Sequence, residues 1–138
     1  MKLLVLSQYF WPETFLINDV VRTLVAQGHE VTVATGKPNY PDGKVFDGYT
    51  AAGTQRERYL EKVDVFRVPL WPRGKGGARN LAFNYLSFVL AGIFLFPWLL
   101  RGRSFEAILV FAPSPITQAL PAILLKWLKR ARLALWIQ

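Results

Sequence analysis

The chain predicts an α/β fold: a Rossmann-like parallel sheet with helices on both faces. Three stretches carry that expectation. Leu3 to Leu6 is a continuous apolar run, the pattern of a strand covered on both faces. Ile17, Val20, Val21, Leu24 and Val25 recur at i, i+3, i+4, i+7 and i+8, which makes one apolar helix face. Val31 to Thr35 is rich in β-branched residues and forms a second strand. Strand, helix and strand at this spacing make a βαβ unit, with a right-handed crossover and parallel pairing. Gly28 stands where the helix must stop in a left-handed conformation. Open parallel sheets bind ligands outside the carboxyl ends of their strands. Ser7 to Glu13, directly after the first strand, is therefore the first place to look for function.

The remaining elements follow in order. Gly36 to Gly48 is rich in Gly, Pro, Asn and Asp and predicts a long structured loop. Thr50 to Lys62 is polar, with room for a turn of helix. Val63 to Pro69 alternates and predicts a third strand. Trp71 to Ala78 is a basic, glycine-rich loop, and Leu81 to Leu100 runs without a charge. Glu106 to Phe111 predicts a fourth strand and Pro113 to Pro115 a turn, with Ser114 as helix cap and Pro115 at the first helical position. Ile116, Ala119, Leu120, Ile123, Leu124, Trp127 and Leu128 mark the buried face of the next helix, with Pro121 early enough to be tolerated or to kink it. Arg132 to Gln138 predicts a fifth strand. A chain that stops at a strand's carboxyl end, with no closing helix, reads as a truncation.

At 138 residues and 52% apolar content, the chain suffices for one domain with a substantial core. It has no cysteine, which excludes disulfides, thiolate metal sites and a cysteine nucleophile. The apolar start is too short for a signal peptide, so a cytosolic start is expected. The net charge of +8 is unevenly spread. From Met1 to Pro69 acids and bases balance; from Leu70 onward, nine basic residues face Glu106 alone. A basic half interleaved with apolar helices suits an anionic membrane surface or a phosphorylated lipid. Nucleic acid is the rival reading. Ordinary solvated cations are the plain one, preferred for Lys126, Lys129 and Arg130 beside a helix end.

Leu81 to Leu100 is long enough to cross a bilayer. A single crossing, however, would put the third and fourth strands on opposite sides of the membrane, where they cannot share a sheet. Basic residues flank both ends, so no positive-inside asymmetry exists. The expectation is a helix partly in the core and partly in the interface, ended or bent near Phe96 by Pro97.

Several motifs resemble those of one family. They are Tyr9-Phe10-Trp11-Pro12-Glu13, Phe15 to Asp19, Gly28-His29-Glu30-Val31-Thr32-Val33 and Pro38-Asn39-Tyr40-Pro41. Gly43-Lys44, Phe46-Asp47-Gly48-Tyr49, Arg67-Val68-Pro69-Leu70 and Pro72-Arg73-Gly74-Lys75-Gly76-Gly77 continue the series. Asn84-Tyr85-Leu86-Ser87-Phe88 and Leu135-Trp136-Ile137-Gln138 complete it. Together they resemble family 4 glycosyltransferases, in the subgroup that builds bacterial O-antigen, capsule and colanic-acid-type polymers.

The resemblance covers nearly the whole chain and implies the amino-terminal, acceptor-side half of a GT-B fold, two Rossmann-like domains facing across a cleft. It implies retaining transfer of a sugar from a nucleotide sugar to a lipid-pyrophosphate-linked acceptor, without metal or cofactor. The enzyme would lie peripherally on the inner face of the bacterial cytoplasmic membrane. The donor-binding carboxyl-terminal domain, with its pair of glutamates, is expected beyond Gln138. In one departure, Leu16 stands where the subgroup often has an arginine. If that arginine touches a phosphate, this chain lacks the contact.

Candidate site residues fall in three groups. No G-x-G-x-x-G follows the first strand, which disfavours the rival of a nucleotide-binding domain from an epimerase or dehydrogenase. Glu13, Asn18 and Asp19 instead offer carboxylates and an amide suited to sugar hydroxyls, although Asn18 or Thr14 would equally cap the helix. Lys37, Asn39 and Tyr40 sit just past the second strand in a proline-stiffened segment that serves equally as recognition loop or structural turn. Gln138 completes the cleft-edge set. Arg73, Lys75 and Arg79 lead into a helix N-terminus, where glycines, free amides and cations suit a pyrophosphate; a solvated loop is the plain alternative. His29, at the opposite sheet edge, is read as structural. A non-catalytic membrane-surface module remains a further rival, which the charge asymmetry alone would support. No catalytic residue is assigned.

Overall fold

The computed structural model describes residues 1–40, 42–112 and 116–137, with Ile116 and Ile137 described by backbone alone. Pro41, the Pro113–Pro115 turn with its Ser114 cap, and Gln138 lie outside the described residues. The elements run β1 (Lys2–Leu6), α1 (Leu16–Ala26), β2 (Glu30–Gly36), β3 (Gln55–Tyr59), β4 (Val63–Val68), α2 (Ala78–Leu99) and β5 (Ala107–Ala112). A short 3-10 turn (Ile116–Gln118), α3 (Ala119–Lys129) and β6 (Arg132–Ile137) follow. One sheet joins all six strands in the order β3-β4-β2-β1-β5-β6. β1 lies at its centre, with Leu3 opposite Val31 on one side and Ala107 on the other.

Five strands are parallel, as the βαβ pattern requires. The sixth departs from the sequence reading. Gln55–Tyr59 is an antiparallel edge strand on β4, where a turn of helix had been allowed. Its sequence Gln-Arg-Glu-Arg-Tyr is charged because an edge strand needs only one apolar anchor, here Tyr59.

Side-chain alternation divides the core between the two sheet faces. Val5, Val31, Val33, Val63, Val65 and Phe111 pack against Ile17 and Val21 of α1. Leu4, Leu6, Phe66, Val68, Ile108 and Val110 pack against Phe88 and Phe96 of α2 and Ala122 and Leu125 of α3. Gly28, at φ 92°, ends α1 as expected, and the amide behind it closes on Leu24 O. Pro121 falls in the first turn of α3, where no helical hydrogen bond is lost.

Pro97 neither ends nor breaks its helix: α2 begins three residues earlier than expected and runs through Pro97 to Leu99. Lys129 spans from α3 to the end of α2, donating to Leu100 O and Arg103 O (both 2.6 Å), and does not serve its own helix terminus. Among the described residues α2 is the one helix long and apolar enough to cross a membrane. It connects β4 to β5 inside a single sheet and buries Phe88 and Phe96 there, so its length belongs to the fold. Its outer side remains uncovered, with Phe94 at 74% exposure. α3 departs from the sequence reading: Leu120, Ile123, Trp127 and Leu128, expected on its buried face, are exposed, while Ala119, Pro121, Ala122 and Leu125 face the core.

Candidate functional site

The chain crosses from one side of β1 to the other between β4 and β5, through α2. This switch of direction opens a crevice at the carboxyl ends of the strands. Three described loops meet there: Ser7–Phe15 after β1, 37–54 after β2, and Pro69–Gly77 after β4.

Glu13 is the hub between the first two. Its buried carboxylate accepts the backbone N–H groups of Phe10 (3.3 Å), Asn39 (3.1 Å) and Tyr40 (2.9 Å). Burial pushes this carboxyl up to about 7, against the three N–H donors and the Arg67 charge, which hold it down. Asn39 carries the connection to the third loop. It donates to Lys37 O (3.0 Å) and accepts the Arg73 N–H (3.0 Å). Gly74 N–H closes on Gly43 O at 2.9 Å. A Cβ on Gly43 would stand 1.7 Å from the Gly74 carbonyl oxygen, and its φ of 79° lies in the left-handed region, so only glycine fits.

Asn18 caps no helix. Its side chain accepts Trp11 N–H (2.9 Å) and donates to Glu13 O (2.7 Å), and Phe15, the cap residue of α1, makes no side-chain bond. Lys37 is buried and donates to Thr50 O (2.6 Å) and Ala52 O (3.2 Å); burial, then the neighbouring Arg67 charge, lower its pKa. Glu13, Asn18, Lys37 and Asn39 are thus brought together in these loops, and their polar groups hold the loops.

The groups presented outward are different. Asp19 lies exposed in the first turn of α1. Tyr40 presents a partly open ring that packs on Phe15 (5.0 Å) and Tyr9 (5.9 Å). Arg73 stands 5.1 Å above the Tyr40 ring and donates to the Tyr9 hydroxyl (2.7 Å). Burial raises the pKa of that hydroxyl, so it stays a neutral acceptor. Lys75 and Arg79 are exposed, and neither they nor Arg73 make an ion pair among the described residues. All three flank the first turn of α2, which has no side-chain cap and no acidic residue. Free amides and three unpaired cations make this a place suited to an anion.

Two parts of the site escaped the sequence reading. One is Arg67, fully buried, which donates to Glu57 (2.6 Å), Gly36 O (2.8 Å) and Trp11 O, with its guanidinium 5.1 Å from the Tyr49 ring. Strand parity was the available signal, because Arg67 shares the inward face of Val63 and Val65. The other is a crevice of about 600 Å³ between Trp11 and the loop carrying Asp42, Lys44, Phe46 and Asp47. Its exposed indole and carboxylates suit a saccharide. Nothing local marks these residues, since they converge from separate loops. A cavity beside His29 and Asp64 lies at the amino ends of the strands, away from the crevice; His29 there meets the amino terminus at 3.2 Å, in keeping with a structural role.

The strand order and the position of the crevice define a Rossmann-like domain of the kind paired in GT-B enzymes. No known family profile matches the chain. Among curated proteins it is 33% identical over 98 residues to the provisionally named colanic acid biosynthesis glycosyl transferase WcaI of Escherichia coli K12. That match covers 68% of this chain and 24% of the relative. Among solved structures, sucrose-phosphate synthase from Thermosynechococcus elongatus superposes with a TM-score of 0.55 at 16% identity, over 99% of this chain and 32% of that one. The chain therefore spans about a quarter to a third of the proteins it matches. Its fold is that of a GT-B domain, and its sequence is similar to part of a glycosyl transferase.

Proposed function

We propose that this domain is the acceptor-side half of a retaining glycosyltransferase of bacterial surface-polysaccharide synthesis. The enzyme moves a sugar from a nucleotide sugar to a lipid-pyrophosphate-linked acceptor. The observation that carries this reading is the unpaired set Arg73, Lys75 and Arg79 at the open N-terminus of α2, on the crevice edge. A diphosphate there meets amides and cations. The name of the bacterial relative supports the polysaccharide role. Glu13, Lys37 and Asn39 shape the loops, while Asp19, Tyr40 and the Trp11 crevice are the surfaces offered to sugar. A second domain holds the nucleotide sugar, so this domain alone transfers nothing. The transfer needs no metal and rests on positioning and on stabilising the departing diphosphate.

In an enzyme joining this domain to a donor domain, Arg73→Ala with Lys75→Ala raises the acceptor KM and leaves nucleotide affinity unchanged. Each lost charged contact costs about 1.5–3 kcal/mol if desolvated, and less where exposed. Loss of nucleotide binding with normal acceptor kinetics would assign the loop to the donor.

The domain works at the cytoplasmic face of the membrane and binds no nucleic acid. Exposed Phe83, Leu86, Phe94 and Trp98 of α2 and Trp127 and Leu128 of α3 lie beside Arg79, Arg101 and Lys126. Each cation near an anionic surface contributes about 1 kcal/mol. Sedimentation with vesicles containing anionic lipid is expected to fall steeply as salt rises. Binding that only detergent reverses would contradict a peripheral attachment.

A further inference from the structure

An apolar groove of about 500 Å³ lies where the β4–α2 connection meets the loop after β2. Ala51, Ala52, Leu70, Trp71, Pro72 and Ala91 form its walls. Its size is that of a small-molecule site. Its surface is almost wholly apolar, and several of the polar atoms around it are already used. Ser87 Oγ accepts the Trp71 N–H (2.8 Å) and donates to Asn84 O (2.9 Å). Ala51 O accepts the Leu70 N–H, and Ala52 O accepts from Lys37 and Thr50. A polar ligand would find few partners and would lose its hydration. A hydrocarbon loses nothing.

Two features identify the hydrocarbon. Ser87 and Ala91 lie on the same stripe of α2 as the exposed Phe83, Leu90 and Phe94, so the groove opens onto the uncovered apolar face. Trp71, 55% exposed, packs on Phe83 at 5.5 Å and bridges the two. At its other end the groove is lined by Pro72, the residue before Arg73, where the unpaired cations begin. An apolar slot joined to a cationic mouth complements an amphiphile with a diphosphate head.

We propose that this groove binds the first segment of the acceptor's hydrocarbon chain, with the diphosphate at Arg73, Lys75 and Arg79. The proposal rests on the reading of the acceptor as a lipid diphosphate and locates its tail. The remainder of the chain continues along α2 toward the bilayer.

Titration of the 138-residue domain with farnesyl diphosphate and with isopentenyl diphosphate, two heads alike with chains of different length, tests it. The longer chain is expected to bind at least about tenfold more tightly, since each buried methylene adds a factor of a few. Ala52→Trp, on the exposed rim, closes the slot and abolishes that preference, weakening farnesyl diphosphate toward the affinity of isopentenyl diphosphate. Ala91→Leu closes it from the helix side and does the same, and both variants should keep the wild-type circular dichroism spectrum. Equal affinity of the wild type for the two diphosphates, or a chain-length preference that survives both substitutions, overturns the groove. An enzyme that glycosylates long- and short-chain acceptors with equal kcat/KM would also overturn it, and would leave the glycosyltransferase reading standing.

Discussion

Arg67→Ala is expected to destabilise the domain by about 3–5 kcal/mol, the range for breaking a buried charge pair. The guanidinium has no exposed surface, and it ties together three parts of the chain. It holds Glu57 of the edge strand, the last carbonyl of β2 and the Trp11 carbonyl of the loop after β1. Alanine leaves two carbonyls without their donor and a four-fifths-buried carboxylate without its counter-charge. Arg67→Lys keeps the charge but brings one point donor where a planar fork served three acceptors, so it recovers only part of the loss. Urea unfolding checks both variants, and a cost below about 1 kcal/mol for alanine would show the network to be dispensable.

Glu13→Gln is the second large effect. The carboxylate serves Phe10 N–H with one oxygen and the Asn39 and Tyr40 N–H groups with the other. Glutamine offers a single acceptor oxygen, so at least one buried N–H faces an amide NH2. Each donor left unpaired costs about 1–3 kcal/mol. The variant also changes the pH dependence, and the sign follows from the raised pKa. The folded carboxyl titrates near 7 and the unfolded one near 4.5, so between these values the folded protein binds more protons. Stability from this group is full below the unfolded value and declines as pH rises toward 7, by an amount on the order of 3 kcal/mol. Melting temperatures across that window are expected to fall for the wild type and to lack this component in Glu13→Gln. A wild-type curve that instead rises through the window by the same amount would mean the N–H donors outweigh burial.

Much of the fold was legible because apolar periodicity is local. Val31 to Thr35, Ala107 to Phe111 and the α1 stripe each declare their period within a few residues. The Gln55–Tyr59 strand was not legible, because an edge strand needs little apolar content. Its return to β4 also passes through Leu60 and Glu61 at φ 54° and 61°, without the glycine or asparagine that marks such turns. Pro97 misled for another reason: tertiary packing of Phe96 and Leu100 carries α2 past a residue that would end an isolated helix. In the crevice, the sequence pointed to the loops that converge there but not to the division of labour within them. Whether a polar residue faces a ligand or a neighbouring loop depends on partners far along the chain. Asn39 meets Arg73, and Glu13 meets Asn39, only once three strands align. Arg73, Lys75 and Arg79 were easier to read, because the run that holds them contains no acid to pair with.

The central claim is that this half of the cleft receives a lipid diphosphate and leaves the nucleotide to its partner domain. Amide chemical-shift mapping of the isotope-labelled 138-residue domain tests it directly. Farnesyl diphosphate is expected to shift the amides of residues 73–79 and of Tyr40, while uridine and guanosine diphosphates leave them in place. Nucleotide-induced shifts at those amides, with none from the lipid diphosphate, would contradict the account.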